Sequence, residues 1–172
     1  FLSQLNAQDK AYVRDALKQF KAGWLEYEKL ALPSQPSSYC MLFGFGEKEK
    51  WDRRHCAVAA RKIVQCLQNL KQTTGTILLD DMKVSGHTLA ECAELFAQNA
   101  EMAQYAYREY LEEPKGGWPR VDEMRYCARG VSAGLSLQKA IERGAIIGQQ
   151  INSTRDLANS PAGDMTPKVL AR

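Results

Sequence analysis

Tyr39-Cys40-Met41-Leu42-Phe43-Gly44-Phe45-Gly46 is the stretch whose reading decides the fold. Residues 39–45 are apolar nearly throughout and run into glycines, which predicts a strand covered on both faces. Downstream, Ala57, Ala60, Ile63, Val64, Leu67 and Leu70 fall on one stripe of a helix over about Trp51–Leu70, with Arg53, Arg54, Arg61 and Lys62 opposite. Thr76–Asp80 reads as a short strand, and Ser85-Gly86-His87 as a turn. A helix then runs to about Leu111 on the stripe Leu89, Cys92, Ala93, Phe96, Ala100, Ala103, Tyr107, Tyr110, until Pro114, Gly116, Gly117 and Pro119 break it. Another strand falls within Glu123–Ala128. Upstream lie a helix over Ala7–Lys21, a strand in Trp24–Leu30 for which helix stays an alternative, and a loop at Pro33–Ser38. This alternation predicts an α/β fold, a three-layer α/β/α arrangement around a mixed, largely parallel central sheet.

The last quarter of the chain differs. Leu135–Asn159 reads as one long connecting helix, with Leu137, Ile141, Ala145, Gly148, Ile151, Asn152 and Arg155 along one side. Gly144 and Gly148, one turn apart, weaken a helix unless another backbone packs close to them. Pro161 ends it, since the residue before a proline avoids the α region. Thr166-Pro167 is a helix start, an N-cap followed by proline at the first helical position. Only about one turn remains after it, and Phe1-Leu2-Ser3-Gln4 carries neither an initiating Met nor a basic leader with an apolar core. The expectation is a piece of a longer polypeptide.

Hydrophobic residues make up 45% and charged residues 25%, a globular balance that excludes a disordered chain. No apolar run approaches the roughly 20 residues of a membrane-spanning helix. The net charge of +3 dictates no partner. Five cysteines, Cys40, Cys56, Cys66, Cys92 and Cys127, are widely spaced and odd in number, which points to reduced thiols rather than a disulfide framework. His55 and His87 lack ligand spacing to any cysteine pair, which argues against a zinc site.

Candidate motifs mostly have plainer readings. Gly44-Phe45-Gly46 follows a strand, but Glu49 stands where a dinucleotide fingerprint needs its third glycine. Gly130-Val131-Ser132-Ala133-Gly134 matches a nucleophile elbow, yet no histidine follows to act as base, so Ser132 keeps an ordinary alcohol's reactivity. Lys48, Lys50, Arg53, Arg54, His55, Arg61 and Lys62 are a basic region diluted by Glu47, Glu49 and Asp52, which reads as a solvated face before a nucleic-acid surface. Asp80-Asp81, at a strand end, lacks a third metal ligand nearby in sequence.

The informative segment is Asn152-Ser153-Thr154-Arg155-Asp156-Leu157-Ala158-Asn159-Ser160-Pro161, followed by Met165-Thr166-Pro167. On a helix, Asn152, Arg155, Asp156 and Asn159 share a face. Asp156 sits in the final turn, where a negative charge opposes the macrodipole. The expectation is that Asp156 meets a specific donor, in whatever domain follows.

This pattern, Asn-x-x-Arg-Asp-Leu-x-Asn-x-Pro with a later Thr-Pro, resembles the junction between the N-terminal and catalytic domains of leucine (cytosol) aminopeptidases. The upstream order of elements agrees; the departure is Gly163, where the family usually has Asn. The resemblance implies a macro-domain-like N-terminal domain over 1–134 (its first strand lying outside the chain as an open alternative), an interdomain helix over 135–160, and the start of a catalytic domain at 161–172. It implies a parent enzyme, a cytoplasmic homo-hexamer, that removes N-terminal amino acids from peptides by two-metal hydrolysis with zinc, manganese or magnesium. The family's lysine, aspartate and glutamate machinery has no counterpart here, so no catalytic and no metal residue carries over, and no cofactor is expected in this piece. Asn152, Arg155, Asp156, Asn159 and Pro161 carry over as a structural junction motif whose partner is the chain's own catalytic domain. The competing reading is a macro-like binding module for nucleotide or nucleic acid.

Overall fold

The computed structural model describes residues 5–129 and 134–171, with the side chains of residues 35–38 left aside. The chain divides into two compact units, one ending at His55 and the other beginning at Cys56.

The first unit is a helix on a hairpin. Helix α1 (Ala7–Gln19) starts where the Asn6 side chain accepts the Asp9 backbone N–H at 2.8 Å, which satisfies one of the donors a helix start leaves free. Strands β1 (Tyr27–Leu32) and β2 (Gln35–Phe43) pair antiparallel, with Leu30 opposite Cys40 and Glu28 opposite Leu42. Val13 of α1 packs with Leu30, Leu32, Cys40 and Leu42, and Leu5, Ala16 and Phe20 close the cluster. The loop expected at Pro33–Ser38 is thus only a tight turn, and the strand begins earlier than its apolar run. The expectation of a strand buried on both faces is corrected as well. Cys40 and Leu42 are buried while Tyr39 is exposed and Met41 and Phe43 are half-buried, the alternation of a hairpin with one covered face. Asp9, 2% exposed, ties the turn to α1 by accepting the Ser34 backbone N–H at 3.0 Å and the Ser34 hydroxyl.

In the second unit the order is helix, strand, helix, strand, helix. Helix α2 (Arg53–Asn69), whose first turn belongs to the first unit, buries Cys56, Ala59, Ala60, Val64, Cys66 and Leu67. Strand β3 (Thr74–Leu78) leads through a 3-10 turn at Leu79–Met82 to α3 (Leu89–Ala103). Thr88 and Glu91 form a reciprocal capping box at the start of α3. Strand β4 (Glu123–Cys127) pairs parallel to β3, with Thr76 opposite Arg125. A parallel pair needs a long crossover, and α3 supplies it. Helix α4 (Gly134–Asn159) and the single turn α5 (Pro167–Leu170) complete the unit.

The α/β class and the long closing helix stand as expected. Among the described residues, the strands expected in one central sheet form two two-stranded ladders, β1–β2 antiparallel and β3–β4 parallel. The other correction concerns α3, which ends at Ala103 rather than near Leu111. Its last carbonyls find partners outside the helix, described below, and the Gln104 side chain turns to accept the Val121 N–H at 3.0 Å. Tyr107 and Tyr110 therefore lie beyond the helix whose stripe they were expected to extend.

Packing of α4 on α3 follows the two glycines. A Cβ at Gly144 would stand 2.2 Å from the Glu94 carbonyl oxygen, and one at Gly148 would stand 2.6 Å from that of Gln98. Only a hydrogen fits, so the helix backbones touch. Leu137 and Ile141 of the same face join Leu79, Leu89, Ala93 and Tyr126 in the core. Buried Asn99 is satisfied on both sides, accepting from Arg61 Nε at 2.8 Å and donating to the Leu95 carbonyl at 2.8 Å.

Candidate functional site

An α-helix leaves its last carbonyls without partners of its own. At the C-terminal end of α3 these are met in part by the backbone N–H groups of Gln104 and Tyr105 and in part by side chains of α4. Asn152 Nδ2 donates to the Glu101 carbonyl at 3.0 Å, and Arg155 Nη1 donates to the Met102 carbonyl at 3.2 Å. Arg155 also reaches Asn152 Oδ1 at 3.3 Å, and its guanidinium lies 5.4 Å from the centre of the Tyr105 ring. A cation here complements the negative end of α3. One turn on, Asn159 Nδ2 donates to the Tyr105 hydroxyl at 2.9 Å.

The structure thus brings Asn152, Arg155 and Asn159 together against the segment that follows α3. The Asp156 carboxylate lies on the same side and acts on the ionisation of the Tyr105 phenol. Burial first, and then the Asp156 carboxylate, hold the Tyr105 phenol above its ordinary range, against the pull of Asn159 and Arg155. Pro161 accepts the backbone N–H groups of Asp164 at 3.0 Å and Met165 at 2.9 Å, closing a turn after α4. A shallow cleft of 560 Å³ beside it is lined by Tyr107, Arg108, Glu109, Asp156 and Ser160. Chemically, the arrangement clamps one helix end to another.

Tyr105, the residue on which most of these contacts converge, went unremarked in the sequence. Residues 105–110 read there as more helix, and a hydroxyl that accepts from a side chain some fifty residues away leaves no local pattern.

Glu101 gives the junction a pH dependence. Burial raises its carboxyl above the ordinary value, and Arg120 opposes the shift. The folded chain therefore holds this proton at pH values where the unfolded chain has released it, and stability falls as pH rises through that window. Glu101→Gln is expected to raise the midpoint of thermal unfolding at pH 7.5 and to leave it unchanged at pH 4, measured on the residue 1–172 chain.

The remaining candidates serve the fold. Gly44 donates to the Glu26 carbonyl at 2.8 Å, a Cβ there would stand 2.1 Å from the Gly23 oxygen, and Gly46 has φ +70°. That is a strand-exit turn packed on its own backbone. Asp80 accepts the Arg129 backbone N–H at 2.9 Å, which fastens the end of β4. In the basic region Lys50 pairs with Glu47, His55 with Asp52, and Arg61 with Asn99. Cys40, Cys56, Cys66 and Cys92 are buried thiols and Cys127 is an exposed one. Ser132 lies outside the described residues. Among the described residues no three His, Cys, Asp or Glu side chains stand close enough to hold a metal ion. Among the same residues no helix is long and apolar enough to cross a membrane.

The described fold is an α/β unit closed by a long helix whose polar face clamps the preceding helix. The family model described as "Cytosol aminopeptidase family, N-terminal domain" matches residues 13–114, and the chain belongs to that family. Relatives include probable cytosol aminopeptidases of Nitrosococcus oceani, 25% identical over 99% of this chain and 35% of the relative, and of Roseiflexus castenholzii, 28% identical over 86% and 29%. Another, from Rickettsia bellii, is 26% identical over 88% of this chain and 30% of its own length. The chain therefore spans about a third of the curated relatives it matches. The solved bottromycin maturation enzyme BotP, in complex with Mn, superposes with a TM-score of 0.71 at 22% identity, over 94% of this chain and 31% of that one. That likeness bears on the fold. The alternative of a module for nucleotide or nucleic acid finds no support in these matches.

Proposed function

We propose that the chain is the non-catalytic N-terminal domain of a leucyl aminopeptidase. The observation that carries this reading is the match of residues 13–114 to the N-terminal domain of the cytosol aminopeptidase family. In this reading the parent removes N-terminal amino acids from peptides. Two divalent ions (manganese, zinc or magnesium), held by the catalytic part of the parent, activate water and stabilise the developing oxyanion. Manganese in the BotP complex supports a divalent metal, and the naming of the relatives as cytosol aminopeptidases supports a cytoplasmic setting.

Within the parent, residues 1–134 form the N-terminal macro-like domain, 135–160 the interdomain helix, and 161–172 the opening of the catalytic domain. Asn152, Arg155, Asp156, Asn159 and Pro161 then set the junction. The outer side of α4 supports this division. Leu135, Ile146 and Leu157, eleven residues apart in turn and so on one stripe, are 77%, 58% and 46% exposed. Such a stripe suits coverage by the catalytic domain or by another subunit of a homo-hexamer.

The test is an assay of the full-length polypeptide with leucine-p-nitroanilide. Manganese-stimulated turnover that a chelator abolishes is expected, with none from residues 1–172 alone. Ile146→Asp in the full-length polypeptide is expected to lower both the assembled mass and the turnover. Turnover by residues 1–172 on their own would sink the reading.

A further inference from the structure

We propose that Tyr110 and Asp164 form a clasp that sets the direction in which the chain leaves α4. The Tyr110 hydroxyl donates to the Asp164 carboxylate. Residues 161–165 are wound into their turn by the Pro161 carbonyl, and residues 167–170 form the single turn capped by Thr166. Both of those features are local. Among the described residues, the Tyr110–Asp164 hydrogen bond is the side-chain tie between the 161–171 segment and the rest of its unit.

The tie is supported from behind. Tyr107 lies 6.1 Å from Tyr110, ring centre to ring centre, and limits the positions the Tyr110 ring can take. Tyr105, on the same segment, holds the final turn of α4 through Asn159. The three tyrosines therefore grip the chain at two successive points, one before Pro161 and one after it. With the first grip alone, the backbone after Asn159 could pivot at Ser160-Pro161. The second removes that freedom. Asp164 also keeps the Tyr110 phenol protonated well above its ordinary range, so the clasp stays closed across neutral pH.

The clasp does not depend on the aminopeptidase reading, because its test follows backbone protection and not turnover. Peptide-resolved hydrogen exchange on the full-length polypeptide would compare Tyr110→Phe, Asp164→Ala and the double variant. A closing hydrogen bond at an exposed site slows local opening only modestly, so the amides of residues 161–171 are expected to exchange about three- to fivefold faster in each single variant. The double variant should be no faster than either, and the amides of α3 and α4 should be unchanged. Unaltered exchange in the single variants, additive acceleration in the double, or loss of protection throughout α3 and α4 would each overturn the clasp.

Discussion

Gly144→Ala and Gly148→Ala are each expected to destabilise the residue 1–172 chain by about 2 kcal/mol, although glycine to alanine inside a helix normally stabilises it by about 1 kcal/mol. The sign reverses because of what the new methyl group meets. At 144 it lands 2.2 Å from the Glu94 oxygen and 3.1 Å from Ala97 Cβ. At 148 it lands 2.6 Å from both the Gln98 oxygen and Glu101 Cβ. Backbone on a helix cannot swing aside as a long side chain can, so α4 must lift off α3 as a body. The double variant should lower the midpoint of thermal unfolding by about 8–15 °C for a chain of this size. Urea denaturation with an unchanged slope would show that stability, and not the compactness of the unfolded chain, has changed. Alanine at both positions without loss of stability would mean that the helices do not touch there.

Arg155→Ala should cost about 2 kcal/mol, in line with hydrogen bonds to charged groups. The guanidinium joins the Met102 carbonyl, the Asn152 side chain and the face of Tyr105, at the end of a helix that favours positive charge. Arg155→Lys keeps the charge but loses the planar fork that serves several acceptors, and should recover no more than about half of the loss. Combined with Asn152→Ala, the effects should fall short of additive, since the two side chains bond each other and cap adjacent carbonyls. Full recovery by lysine would reduce the role of Arg155 to its charge.

Both expectations rest on residues legible in the sequence before any coordinates. Gly144 and Gly148 could be read as a place of close approach because glycine is costly in a helix and so marks a contact. Asn152, Arg155, Asp156 and Asn159 could be placed on one face from their spacing alone. What those residues touch was not legible. Asn159, for instance, donates to the hydroxyl of Tyr105, within the chain but some fifty residues earlier. The end of α3 was misplaced for a related reason. Ala103, Tyr107 and Tyr110 keep helical spacing, and nothing local announces that side chains of α4 will join the carbonyls at Glu101 and Met102.

The strands divide in the same way. The apolar run at residues 39–45 was enough to place a strand but not to say how many of its faces would be covered. Alternation at Cys40 and Leu42 emerges only once β1 lies beside it and α1 lies on one side. Local preferences such as spacing, capping residues, prolines and helical glycines therefore determined by themselves most element types, with Trp24–Leu30 left between strand and helix, as well as the long α4 helix, the start of α5 and the likeness to an aminopeptidase junction. Tertiary structure alone decided the pairing of the strands, the point at which α3 stops and the partners of the junction side chains. The physical reason is that a hydrogen bond or a van der Waals contact is a property of two groups in space, and each residue encodes only its own half of it.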